Sequence, residues 1–157
     1  MSKKPTGKIL CSACLYGFNC KYDGGNNQDL KIINTLLAEG IDPVVICPEV
    51  AGGLPIPRTP AELQGDKVIN QDGEDVTEQF MAGARAAVEL AKKHGCKAAV
   101  LKANSPSCGC GKIYDGTFSG KLVDGYGVTA RLLRKSGVVV YTEETYKKML
   151  IDFMFED

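Results

Sequence analysis

The sequence is short of the groups on which many functions rest. Histidine occurs once in 157 residues, as His94. A single imidazole nearly removes catalysis and metal sites built on histidine. This one follows Lys92-Lys93 just before Gly95, where a cation complements a helix dipole, so a structural place is expected for it. Neither charge is in excess: 19 basic and 19 acidic residues give a net charge of zero. A protein that binds nucleic acid by releasing phosphate counterions needs a basic surplus, so that class is set aside. No apolar run approaches the roughly 20 residues of a membrane helix. Met1 to Lys8 is short and polar, with no signal-peptide core. The expected setting is the cytoplasm, without membrane or nucleic-acid partners.

Cysteine is what the chain has in quantity. There are seven: Cys11, Cys14, Cys20, Cys47, Cys96, Cys108 and Cys110. An odd number without a secretory signal argues for thiol chemistry or metal ligation over a disulfide framework. A domain of this length buries roughly 68–70% of its unfolded surface and needs no staples. One domain, residues 1–157, is expected.

Four apolar runs read as buried strands: Lys8 to Ala13, Val44 to Ile46, Ala98 to Leu101 and Val138 to Tyr141. Helical spacing is found over Asn27 to Ala38, from Asp75 to Gly95, over Val128 to Lys135 and from Glu144 to Phe155. Asp75 with Glu78 reads as a capping box. Lys67 to Asp75 reads as a small hairpin turning at Asp72-Gly73, and a second irregular hairpin is expected near Tyr114 to Leu122. Strands alternating with helices predict an α/β fold whose parallel sheet is covered on both faces. Two long glycine- and proline-rich loops, Glu49 to Gly65 and Ala103 to Gly127, stand out. Structureless stretches beyond about 12–15 residues are usually functional.

In open parallel sheets, ligands bind beyond the carboxyl ends of the strands. Cys14 falls just past the first strand, Cys47 at the end of the second and Cys108 in the loop after the third. The 33 residues from Cys14 to Cys47 make about one strand–helix–strand unit. Three cysteines far apart in sequence are therefore expected at one sheet edge. Thiolates without histidine suit a soft metal, either zinc or an iron–sulfur cluster. A structural zinc needs four ligands, and Cys11 could supply the fourth through Cys11-x-x-Cys14. With only three protein ligands, a 4Fe–4S cluster keeps one iron open as a Lewis acid. Glu49, two residues after Cys47, is a candidate general acid/base, and Ser105, three before Cys108, could orient water or donate to substrate. Arg58 and Glu62 could close over a planar polar ligand or pair with each other.

Each of these residues also has a plainer reading. Free cysteine is often simply buried, which is the expectation for Cys96 and Cys11. Cys20 and Cys110 sit in glycine-rich loops near the site, as spare ligands or structural thiols. Asp23-Gly24-Gly25 reads as a turn; no Walker or GxGxxG pattern is present. The apolar face of the terminal helix is core.

Three ordered motifs resemble a known family. Ser12-Ala13-Cys14-Leu15 with Gly17, Cys20 and Tyr22-Asp23-Gly24 is the first. Cys47-Pro48-Glu49 through Gly52-Gly53-Leu54-Pro55, then Pro57-Arg58 and Pro60-Ala61-Glu62, is the second. Lys102 with Ser105-Pro106-Ser107-Cys108-Gly109 is the third. Together they resemble the thiouracil desulfidase family over about residues 9–144, leaving a C-terminal helix over about 144–155. The strand–helix pattern itself predicts a three-layer α/β/α domain with a mostly parallel, Rossmann-like sheet of about four strands. The resemblance implies a 4Fe–4S cluster held by Cys14, Cys47 and Cys108, with one iron not bound by protein. It places the catalytic carboxylate and hydroxyl on Glu49 and Ser105. Arg58 and Ser107 are further substrate-binding candidates. The implied reaction is non-redox desulfuration of a small thiolated pyrimidine, releasing sulfide. Two other readings compete: a non-catalytic metal domain, holding zinc or a cluster for structure or sensing, and a metal-free thiol sulfur carrier.

Overall fold

A computed structural model describes residues 8–154. The first half runs β1 (Lys8–Ser12), a 3₁₀ turn (Ala13–Tyr16), α1 (Leu30–Ala38), β2 (Asp42–Ile46), α2 (Pro48–Ala51), β3 (Ala61–Gln64), β4 (Lys67–Asn70) and α3 (Thr77–His94). The second runs β5 (Ala98–Leu101), β6 (Cys110–Tyr114), β7 (Leu122–Tyr126), α4 (Val128–Lys135), β8 (Val139–Thr142) and α5 (Tyr146–Met154). The expected end of the last helix, Phe155, lies outside the described residues.

The four apolar strands pair in parallel in the order β2-β1-β5-β8. Side chains alternate across each strand. Ile9 and Cys11 face Ile32 and Leu36 of α1 and Met149 of α5. Leu10, with Ala99 and Leu101, faces Ala87 and Ala91 of α3 and Ala130 and Leu133 of α4. The result is the expected three-layer α/β/α sandwich. Its layering follows from the path of the chain. The connection from β1 to β2 runs one way and carries α1. Those from β2 to β5 and from β5 to β8 run the other way and carry α3 and α4. Crossovers of one hand must then place α1 opposite α3 and α4. The reversal falls between β1 and β5, the place where such sheets open a ligand crevice.

Local chemistry sets the boundaries. Asp29 accepts the N–H groups of Lys31 and Ile32, so α1 starts at Leu30 and Asn27 stays outside the helix. Gly95, left-handed at φ 66°, ends α3. The capping box does not form: Asp75 bonds only as far as the Thr77 N–H, and Val76 occupies the cap position.

The first hairpin also differs from expectation. β3 pairs with β4 from Ala61 opposite Asn70 to Gln64 opposite Lys67, so the turn is at Gly65-Asp66. Leu63 and Val68 bury against Phe80, which gives the short β3 its reason to form. Asp72-Gly73 is a turn, but it leads into α3. Asn70 Oδ1 tightens it by accepting the N–H groups of Asp72 and Glu74 at 3.0 and 2.9 Å.

Candidate active site

Because β1, β2 and β5 are parallel, the segments leaving them open onto one edge of the sheet. Cys14 lies in the 3₁₀ turn after β1, Cys47 is the residue before α2, and Cys108 lies in the loop after β5. All three line one cavity of about 940 Å³, as expected. Cys20 lines it too.

The thiols are not equivalent. Cys47 is lowered from 9.0 to about 6, mainly because the Cys20 thiol hydrogen-bonds its thiolate. The Val50 N–H in the first turn of α2 and the Arg58 charge add to this, against burial and the Glu49 charge. Cys14 is lowered from 9.0 to about 7, again chiefly by Cys20 and against burial. Asn27 Nδ2 contributes from 3.5 Å. Cys108 is buried, and that burial pushes its thiol well up, with the Ser12 and Ser107 hydroxyls opposing. Ser12 also accepts the Lys102 N–H at 2.9 Å, tying β1 to the end of β5.

Glu49 stands in the first turn of α2, where an anion complements the helix N-terminus. Arg58 donates to Glu49 Oε2 from Nε at 2.9 Å and from Nη2 at 2.5 Å. Its Nη2 also reaches the Cys20 carbonyl at 2.8 Å. The Arg58–Glu62 pair does not form: Glu62 instead accepts the N–H groups of Gly116 and Phe118. Ser105 Oγ accepts the N–H groups of Ser107 and Cys108, both at 3.1 Å. Ser107 is fully buried, with its hydroxyl 2.7 Å from Thr129 Oγ1. Glu49, Arg58, Ser105 and Ser107 all line the same cavity as the cysteines.

Two close backbone contacts hold these segments in place. A Cβ on Gly83 would sit 1.9 Å from the Pro48 carbonyl oxygen, so α2 rests directly on α3. A Cβ on Gly127 would sit 2.4 Å from the Ser107 carbonyl, so the start of α4 clasps the Cys108 loop.

The sequence reading takes Cys20 only as a spare ligand or structural thiol and Ser12 only as a motif residue. Ser12 and Cys20 lie within the first motif, but nothing in their spacing marks them as partners of the other thiols. Asn27 carries no signal at all. Cys11 and Cys96 are core residues as expected, and Cys110 points its thiol at the Val140 carbonyl, 3.7 Å away. None of these three lines the cavity.

Among the described residues, no three His, Cys, Asp or Glu side chains close on a point that could hold one metal ion. Three thiols lining one cavity, with no imidazole among them, instead have the donor chemistry of an iron–sulfur cluster.

Residues 9–145 match the family model described as 2-thiouracil desulfurase. The chain belongs to that family. A solved structure of the 4Fe–4S-dependent thiouracil desulfidase TudS is 44% identical, with a TM-score of 0.87, and the match covers 92% of this chain and 96% of that one. The uncharacterized protein YbbK of Bacillus subtilis (strain 168) is 43% identical over 152 residues, 90% of this chain and 99% of its own. The family expectation from the three motifs is borne out, and so is the parallel α/β fold. No helix among the described residues is long and apolar enough to cross a membrane.

Proposed function

We propose that this chain is a 4Fe–4S-dependent enzyme that exchanges the sulfur of a thiolated uracil, or a related thionucleobase, for oxygen and releases sulfide without redox change. The observation that carries this reading is the meeting of Cys14, Cys47 and Cys108 around a cavity that also holds Glu49 and Ser105. Those three cysteines would hold the cluster and leave one iron without a protein ligand. When bound, the cluster supplies a Lewis acid with affinity for sulfur.

The balance is one water in and one hydrogen sulfide out: the ring carbon gains oxygen, and both water protons leave with the sulfur. Both Arg58 contacts fall on Glu49 Oε2, so Oε1 is the oxygen left to take a proton from that water. The acceptor side of Ser105 is engaged by two backbone N–H groups. Its own proton remains to donate to the water or to a polar edge of the substrate. Arg58 sets the carboxylate, and Ser107 fixes the loop that carries Cys108. We read residues 1–157 as one domain working in the cytoplasm on a free small molecule, with neither nucleic acid nor membrane as partner.

The test is an anaerobic assay of cluster-loaded protein with 2-thiouracil. Uracil and sulfide in equal amounts support the reading; neither product contradicts it.

One observation favours a second reading. Cys20 lies beside both Cys14 and Cys47, so four thiols could hold a closed, non-catalytic cluster. That site would lose its metal as completely on Cys20→Ser as on Cys14→Ser.

A further inference from the structure

The cavity has a wall that this chemistry does not use. The turn between β6 and β7, residues 115–121, reads Asp-Gly-Thr-Phe-Ser-Gly-Lys, and Phe118 is its one apolar side chain. Thr117 and Ser119 are exposed, whereas Phe118 is half-buried and lines the cavity shared by Cys14, Cys47 and Cys108.

β3 holds this turn in place. Residues two apart on a strand share a face, so Glu62 and Gln64 both reach Gly116. The Gly116 N–H donates to Glu62 Oε1 at 2.9 Å, and its carbonyl accepts from Gln64 Nε2 at 2.8 Å. The Phe118 N–H donates to the same Glu62 oxygen at 3.2 Å. Glu62 is itself buried. Phe118 takes the left-handed backbone, φ 57°, which a bulky residue adopts only where its surroundings impose it.

Four aromatic side chains line the cavity among the described residues: Tyr22, Phe80, Tyr114 and Phe118. Phe80 is core with Leu63 and Val68, Tyr22 is exposed, and Tyr114 lies within the β6–β7 ladder. Phe118 alone is an apolar ring carried to the cavity by a turn that is otherwise polar. A thiolated pyrimidine presents polar groups at its edge and a π-face above and below. Its sulfur must stay free to react, so the face is what a non-reacting residue can grip.

We propose that Phe118 is the stacking platform for the substrate ring and Glu62 the positioning residue that holds it there. This rests on the desulfidase reading and adds to it the residue that recognises a planar heterocycle. Base–aromatic stacking of ordinary strength corresponds to roughly a 5- to 150-fold change in affinity. Phe118→Ala therefore raises KM for 2-thiouracil by that factor, with kcat changed far less and iron and sulfide content unchanged. Phe118→Tyr keeps the π-face and stays within about threefold of the parent KM. Glu62→Ala raises KM as Phe118→Ala does, the double variant is no worse than either, and Glu62→Gln, which keeps an acceptor oxygen, restores the parent KM.

A second readout does not need turnover. The chain has no tryptophan, so Phe118→Trp introduces a single reporter whose emission uracil quenches saturably in the cluster-loaded protein. Parent-like KM in Phe118→Ala, or emission unmoved by uracil, overturns the platform. Additive effects of the two alanine variants overturn the positioning role of Glu62. A parent chain that releases no sulfide removes the desulfidase reading itself, whereas turnover with an indifferent Phe118 removes only this inference.

Discussion

Arg58 and Glu49 form a fork on one oxygen: Nε and Nη2 of the guanidinium both meet Glu49 Oε2, with the side chains only 7% and 16% exposed. A pair so enclosed fixes where the carboxylate points, which most surface ion pairs do not. Glu49→Gln is expected to keep its cluster and lose kcat by about 10²- to 10⁴-fold, the usual share of a general acid/base. Arg58→Ala leaves Glu49 present but misplaced, and a misplacement near 1 Å costs about 100-fold. Arg58→Lys falls between, because an ammonium cannot fork. Steady-state kinetics beside iron analysis check this, and full activity in Glu49→Gln contradicts it.

Ser105 has two tasks, since the hydroxyl that could donate to substrate also accepts the N–H groups of Ser107 and Cys108. Ser105→Ala should therefore lower kcat and also speed iron loss to a chelator, whereas Glu49→Gln lowers kcat alone. Equal iron loss in the two variants would separate Ser105 from the Cys108 loop.

The inequality of the thiols can be read by alkylation of folded, metal-free protein. At neutral pH Cys47, near 6, is largely thiolate and Cys14, near 7, is about half so, whereas Cys11, raised by burial to about 12, is not. Labelling at Cys47 should rise as pH passes upward through about 6 and be lost below it, because only the thiolate reacts. Peptide mapping with iodoacetamide at pH 7 should find Cys47 and Cys14 ahead of Cys11 and Cys108. Cys108 labelling first would reverse the account.

Gly83 tests how the site is seated. In an exposed helix, alanine is better than glycine by about 1 kcal/mol. Here the added Cβ would meet the Pro48 carbonyl at 1.9 Å, backbone against backbone. Overpacking of this kind costs about 1–3 kcal/mol. Gly83→Ala should unfold at lower denaturant and lose activity, because α2 carries Glu49 and follows Cys47. A more stable, fully active variant would mean that α2 is free to move.

The sheet strands were legible because a strand buried on both faces is a continuous apolar run, and α4 because its periodicity is undisturbed. The meeting of the three distant cysteines was legible because parallel strands end together. β3 was hidden: four residues after a proline-rich stretch carry too little pattern, and its partner β4 is what makes it a strand. Arg58's choice of Glu49 over Glu62 was hidden for a related reason. Glu62 alternates along β3 with Leu63, so its carboxylate goes to the face where the Gly116 turn docks. Cys20 and Asn27 act through contacts between loops, which no local spacing encodes.

The most direct measurement is iron, acid-labile sulfide and zinc per chain in anaerobically purified protein, with Cys14→Ser, Cys47→Ser, Cys108→Ser and Cys20→Ser beside the parent. The account predicts about four irons and four sulfides, the content of one cubane, in the parent and in Cys20→Ser. It predicts their loss in the other three variants. About one zinc without sulfide, the mark of a closed thiolate site, or loss of metal in Cys20→Ser as complete as in Cys14→Ser, would contradict it.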